Sequence, residues 1–156
     1  MVAGLYLSAT AADDMQRQDE VEVHASGVVG DRYASESGSW SSRPGSGRAL
    51  TLVEEEAIEA VRRDYGIELA PGATRRNVVT RGIALNHLVG RTFRVGEVEV
   101  IGLRLAEPCT HLEALTTNGV RRAFVHRGGL RVEVATRGRI RVGDPVRTLE
   151  DRPGPE

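Results

Sequence analysis

From residue 76 to residue 148 the chain is cut into pieces too short for most helices. RNVVT (76–80), TFRVG (92–96), VEVIGLRLA (98–106), GLRVEVAT (129–136) and RIRVG (139–143) are closely spaced and punctuated by glycine. Runs of this length, rich in valine and often alternating polar with apolar residues, are strand signals. VAGLYLSA (2–9) and DEVEVHASGVV (19–29) add two more near the amino terminus, and GDPVRTLE (143–150) predicts a turn and a last strand. Many short strands with few helices bury their apolar faces most economically in a closed or nearly closed β-barrel. The expected fold class is therefore mainly β, a barrel with a few short α-helices. No strand–helix–strand alternation is legible, which disfavours parallel pairing.

The clearest helix lies in RALTLVEEEAIEAVRRDYG (48–66), read as a strand running into a helix. Ala57, Ile58 and Val61 form its apolar face, Glu54, Glu55 and Glu56 its first turn, and Arg62 and Arg63 its last, with Gly66 at a left-handed cap. ALNHLVG (84–90) predicts a single helical turn, and THLEALT (110–116) and GVRRAFVHR (119–127) one or two short helices more. The polar TAADDMQRQ (10–18) carries no pattern. Residues 34–47 contain SESGSWSSRPGSG, which reads as a mobile surface loop or a lid, with Trp40 either packed on the body of the domain, the favoured reading, or available for stacking on a flat ring.

At 156 residues, 40% of them hydrophobic, the chain fits one domain over 1–150 with DRPGPE (151–156) as a disordered tail. No charged-then-apolar leader follows Met1, and no run approaches the roughly 18 apolar residues of a membrane helix. Cys109 is the only cysteine, so no intramolecular disulfide can form, and a reducing cytoplasm is the expected compartment. A formal net charge of -1 argues against a nucleic-acid footprint. All 21 basic residues are arginine. Genomic composition accounts for most of them; a subset can form forks for phosphate or carboxylate groups.

Four stretches can carry chemistry. In AEPCTHLEAL (106–115) Thr110 is placed to cap a helix beginning just after Cys109, where helix dipole and backbone N–H groups favour a thiolate and His111 adds charge when protonated. The alternative is a small buried hydrophobe. In GATRRNVVTRG (72–82) Arg75 and Arg76 point to opposite faces if both lie in regular strand; a turn persisting into Arg75 would let one line a pocket while the other stays in water. Asn77 beside them is a neutral donor. In GVVGDRY (27–33) Gly30 and Asp31 signal a turn, with Arg32 next. HRGGL (126–130) could bring backbone close to a ligand or form a plain turn. His24, His87, His111 and His126 lack zinc-site spacing, and GxSxG, Walker and GxGxxG elements are absent.

In their order, GVVGDRY, LTLVEEEAI, RRNVVTRGIALNHLVGRTFRVGEVEV, EPCTHLE, HRGGLRVEV and GRIRVGD resemble the MOSC family, named for the carboxyl terminus of molybdenum-cofactor sulfurases. The match runs from about residue 27 to 144 and is nearest to short, stand-alone bacterial members. The resemblance implies a barrel of the MOSC or pyruvate-kinase-like type and a pocket for molybdenum cofactor (molybdopterin) or a sulfur species. It places Cys109 at the family's cysteine, as metal ligand or sulfur acceptor, and Arg75, Arg76 and Asn77 at its basic motif. Asp31 and Arg32 take its glycine–aspartate turn, ordering the pocket rim. These 156 residues contain no aminotransferase-like domain for pyridoxal phosphate.

Three functions compete. The first is an oxidoreductase, or a component of one, that binds molybdenum cofactor through Cys109 and reduces N-hydroxylated compounds with a redox partner. The second is a carrier on which Cys109 takes a persulfide sulfur from a donor such as a cysteine desulfurase and delivers it onward. The third is an arginine-lined module for a small anion, with Cys109 merely buried.

Overall fold

The computed structural model describes residues 1–35, 38 and 47–149. Trp40, most of the 34–47 loop and the tail at 151–156 lie outside the described residues. Eleven strands are present among those described: β1 (Val2–Leu7), β2 (Gln16–Gln18), β3 (Glu20–His24), β4 (Gly27–Val28), β5 (Leu50–Glu54), β6 (Val78–Thr80), β7 (Thr92–Val95), β8 (Val98–Leu105), β9 (Leu130–Val134), β10 (Gly138–Arg141) and β11 (Val146–Thr148). The helices are α1 (Glu55–Tyr65), α2 (Thr110–Leu115) and α3 (Val120–Ala123), with single 3-10 turns at Pro71–Thr74 and Leu85–Leu88. The fold is mainly β with a few short helices, as the strand pattern predicts.

Eight strands make one curled sheet in the order β11-β7-β8-β9-β5-β6-β1-β2, and β10-β3-β4 make a second. The small sheet continues directly from β2 and leads directly into β11, the two edges of the large one. Val142 N donates to Asp19 O at 3.0 Å, Gly143 N to Val2 O at 2.8 Å and Val2 N to Asp144 O at 2.7 Å, drawing the ends together. Val21, Val23 and Ile140 of the small sheet join Leu5, Leu52 and Phe93 of the large one in a single apolar cluster, the interior of a nearly closed barrel.

Two expectations need correction. β5 and β6 pair in parallel, Leu52 opposite Val78 and Val53 opposite Val79, and α1 lies in the connection between them. A strand–helix–strand unit is therefore present. Its physical signature is LTLV, four consecutive buried residues: Leu52 and Val78 face the barrel interior, while Val53 and Val79 face a second cluster with Ala57, Ile58 and Val61. Strands covered on both faces lose the alternation that marks a half-exposed strand. The second correction is β2, polar Gln16–Gln18, which is a strand because it pairs antiparallel with β1.

α1 follows its expected chemistry. Glu55 and Glu56 occupy its first turn, Arg62 and Arg63 its last, and Gly66 ends it at φ 66° with its N–H on Arg62 O. The double glycine before β9 serves backbone packing against the chain itself. A Cβ on Gly128 would stand 2.4 Å from Ala106 O, and one on Gly129, at φ +114°, 2.0 Å from Leu52 O.

Candidate functional site

The arginine element begins with the 3-10 turn Pro71–Thr74, closed by Thr74 Oγ1 donating to Pro71 O at 2.8 Å. The turn carries into Arg75, which is left-handed at φ 63°, and regular strand resumes only at Val78. That break removes the strand alternation, so Arg75 and Arg76 both line one pocket, and neither is a solvated residue of a strand edge. Arg76 is buried. Its Nε donates to Gly128 O at 2.9 Å and its Nη2 to Ala106 O at 3.0 Å, which fixes the guanidinium between two backbone segments. Arg75 donates from Nη1 to Asp13 O at 2.6 Å, and its Nη2 is buried without a hydrogen-bond partner among the described residues.

Asn77 also lines the pocket, yet its side chain is committed to the barrel wall. Oδ1 accepts from Thr51 N at 3.2 Å and Thr51 Oγ1 at 3.3 Å, and Nδ2 donates to Tyr6 O at 3.2 Å. One amide thus ties β6 to β5 and β1 where the parallel pair begins.

Cys109 itself is the N-cap of α2, at φ -128° and ψ 170°, and Thr110 is the first helical residue; the expected cap is displaced by one position. The thiol is half-buried, packed on the outer apolar cluster and open to the pocket. His111 lines the same pocket from the first turn of α2. Glu107 stands on the wall too, but both its oxygens accept from His126 N at 3.1 Å, and Oε1 also meets His126 Nδ1 at 3.1 Å.

Asp31 and Arg32 are the buried support of the opposite rim. Asp31 Oδ1 accepts from Ser8 N at 3.0 Å and from Arg32 Nη1 at 3.1 Å, and Oδ2 accepts from Tyr33 N at 3.3 Å. Arg32 lies over the Tyr33 ring with 4.8 Å to its centroid, and both face the pocket.

Arg131 completes the lining and escapes a reading from sequence. It pairs with Thr51 across β5 and β9 and faces away from Leu130 and Val132, which point into the barrel. Alternation in LRVEV places Arg131 and Glu133 alike on the outer face; only the chain folded over that face makes one of them a pocket wall. Tyr33, Thr51, Thr74 and Leu112 also line the pocket; all but Thr74 lie within the elements GVVGDRY, LTLVEEEAI and EPCTHLE, but their residue types alone mark no site.

The electrostatics are one-sided. Arg32 is paired with Asp31, whereas Arg75, Arg76 and Arg131 make no carboxylate ion pair among the described residues. Burial, then the nearby Arg131, pushes Arg76 down to about 10, and Cys109 opposes the shift. Burial also lowers Arg75 and Arg131, helped by Arg32 for the first and Arg104 for the second. All three stay charged at neutral pH, so the pocket concentrates positive charge around one thiol. No group of three or more histidine, cysteine, aspartate or glutamate side chains suited to a metal ion occurs among the described residues.

Comparison with known proteins shows the family and the fold. The family model described as MOSC domain matches residues 23–147. The YuaD protein of Bacillus subtilis superimposes with a TM-score of 0.79 at 16% identity, over 96% of each chain. YiiM from Geobacillus stearothermophilus gives 0.75 at 17% identity, over 96% of this chain and 75% of its own. YiiM from Escherichia coli gives 0.69 at 19% identity, over 96% and 69%. At these identities the structural likeness establishes the fold alone. No curated protein matches the chain. The family model matches most of the sequence, from within β3 to β11, a span that includes the RRN and PC elements and the Gly30–Asp31 turn: this chain belongs to the MOSC domain family.

Proposed function

We propose that this domain holds molybdenum cofactor, with the Cys109 thiolate as the protein's ligand to the metal, and reduces N-hydroxylated compounds with electrons from a redox partner. The observation that carries the reading is the pairing of one thiol with three guanidiniums that have no carboxylate partner. The donor set fits such a group. A single soft thiolate suits a metal whose remaining sulfur ligands arrive with the cofactor, and guanidiniums suit the phosphate of its pterin. When bound, the cofactor supplies two-electron redox chemistry at the metal.

The chain's own residues bind and orient. Arg75 or Arg76 grips the phosphate; Arg76 is already immobilised by Gly128 O and Ala106 O and loses little freedom on binding. Asp31 holds Arg32 against the rim, and Asn77 keeps β1, β5 and β6 in register beneath it. Protein purified from a host that makes the cofactor should contain molybdenum by elemental analysis and a fluorescent pterin after oxidation. Cys109→Ser should lose the metal while His87→Ala retains it. A wild-type protein free of both, with no uptake on reconstitution, would sink the reading.

A second reading is favoured by the half-exposed position of Cys109 among cationic groups. There the thiolate attacks the outer sulfur of a desulfurase persulfide, takes that sulfur, and releases the donor cysteine thiolate. Mass spectrometry after incubation with a cysteine desulfurase and free cysteine would find one added sulfur on Cys109. An unmodified thiol rules the carrier out.

A further inference from the structure

Arg75 lines two hollows. Besides the Cys109 pocket it forms part of a cleft of about 340 Å³, walled chiefly by Tyr6, Met15, Ala73 and Leu115, with the exposed Asp14 as its one carboxylate. The Cys109 pocket offers only about 60 Å³, whereas the cleft has the size of a small-molecule site. Its walls are fixed. A Cβ on Gly4 would stand 2.9 Å from Tyr6 Cε2 and one on Gly72 2.9 Å from Tyr6 Cδ1, so two glycines grip the ring. Arg75 Nη1 donates to Asp13 O at 2.6 Å and Arg32 Nη1 to Met15 Sδ at 3.3 Å, tying the polar segment before β2 to two guanidiniums. Ala12 and Arg75, both in the lining, are two of the three left-handed non-glycine residues among those described, at φ 68° and 63°. Such backbone persists only where its surroundings enforce it, and it clusters at ligand clamps. What the chain does not supply is an acceptor for Arg75 Nη2, which is buried without a hydrogen bond among the described residues.

A buried guanidinium N–H without a partner calls for an acceptor, and an oxyanion makes the strongest bond to it. We propose that this cleft binds an aromatic carboxylate, its ring against Tyr6 and Met15 and its carboxylate on Arg75 Nη2. A fixed aromatic wall and a soft thioether suit a flat apolar ring. Asp14 in the same lining repels a dianion, which favours a carboxylate over a phosphate. The bound carboxylate lies where the cleft meets the Cys109 pocket, because Arg75 walls both. The cofactor phosphate then falls to Arg76, which lines the Cys109 pocket and not the cleft. Either role of Cys109 is compatible with this site.

Titration of the full chain with 2-naphthoate and with its neutral analogue 2-naphthamide, followed by the emission of the probe, tests the site. For a ligand of this size 2-naphthoate should bind with a dissociation constant of about 1 mM or tighter. It should bind roughly tenfold tighter than the amide, through the charge-assisted bond to Arg75. Arg75→Met should remove that preference. Ala73→Leu, which fills the cleft and keeps every arginine, should weaken both probes by about tenfold or more. Leu115→Glu, at an exposed position where folding is not at stake, adds a carboxylate to the lining and should weaken 2-naphthoate more than 2-naphthamide. Equal affinity for the two probes, or no saturation by about 10 mM, overturns the proposal. So do equal losses in the Arg131→Gln and Arg75→Met proteins with none in Ala73→Leu and Leu115→Glu, a result that puts the anion in the Cys109 pocket. None of these outcomes touches the molybdenum content of the wild type and Cys109→Ser proteins, on which the cofactor reading stands or falls.

Discussion

Replacing Arg76 with methionine keeps much of the side chain's bulk and removes its charge, and two opposed terms decide the result. Burial and Arg131 lower its pKa from the ordinary guanidinium value to about 10. That fall corresponds to about 3 kcal/mol against the charged form in the native state. The sign follows from linkage: the native guanidinium holds its proton less tightly than the unfolded one. The penalty is therefore present at every pH below about 10 and is relieved only as pH rises through that value. Methionine abolishes it. Against this gain, the Gly128 and Ala106 carbonyls lose their donors, at about 1–3 kcal/mol for each buried group left unsatisfied. In anion-free buffer the terms largely offset one another, and stability should change by no more than about 3 kcal/mol. Phosphate separates the two proteins. At about 100 times its dissociation constant a ligand of the native state adds about 2.7 kcal/mol. For a chain of this size that raises the melting midpoint by roughly 5–10 °C. The wild type should show this rise and Arg76→Met less than half of it, in thermal unfolding with phosphate exchanged for chloride at constant ionic strength. An equal rise in both proteins would refute the assignment of Arg76 to an anion site. A loss beyond about 4 kcal/mol without phosphate would refute the cancellation.

Two further outcomes follow from side chains beside the pocket and α1. Asn77→Ala removes the amide that bonds Thr51 and Tyr6 and should cost about 2–4 kcal/mol in urea unfolding, since buried partners on two strands lose their bonds together; an unchanged midpoint would show that the tie is unimportant. Glu54 is raised by burial and, after the opposing bond from Leu85, by Glu56. Its native state therefore takes up a proton more readily than the unfolded chain, so the ionised carboxylate costs stability above that raised value and the cost fades as pH falls through it. Glu54→Gln should melt higher than wild type at neutral pH, with the advantage shrinking as pH falls through the raised value of Glu54.

The strands at 92–95, 98–105 and 130–134 and the helix at 55–65 are legible because their signals are local: alternation, apolar spacing, charge at the helix ends, a glycine at the cap. β2 is not, because a polar tripeptide becomes a strand only through the hydrogen bonds β1 offers it. The parallel β5–β6 pair is missed for a related reason. Burial on both faces erases the alternation by which a strand is recognised, and four buried residues in a row carry no direction. Cys109 and the RRN element stand out by order and residue type, whereas Arg131 occupies an ordinary outward position of an ordinary strand.

By itself the sequence determined the β-rich class, the family elements and the placing of one cysteine beside a helix start. Tertiary structure alone decided that Arg75 and Arg76 share a pocket, that Asn77 serves as a brace between strands, and that Arg131 joins them. The reason is range. Backbone preferences and apolar periodicity act over a few residues and are written locally. The charge in the pocket comes from residues 32, 75, 76 and 131 around residue 109, segments far apart along the chain, and their convergence exists only once the sheet has curled and α2 has closed over its outer face.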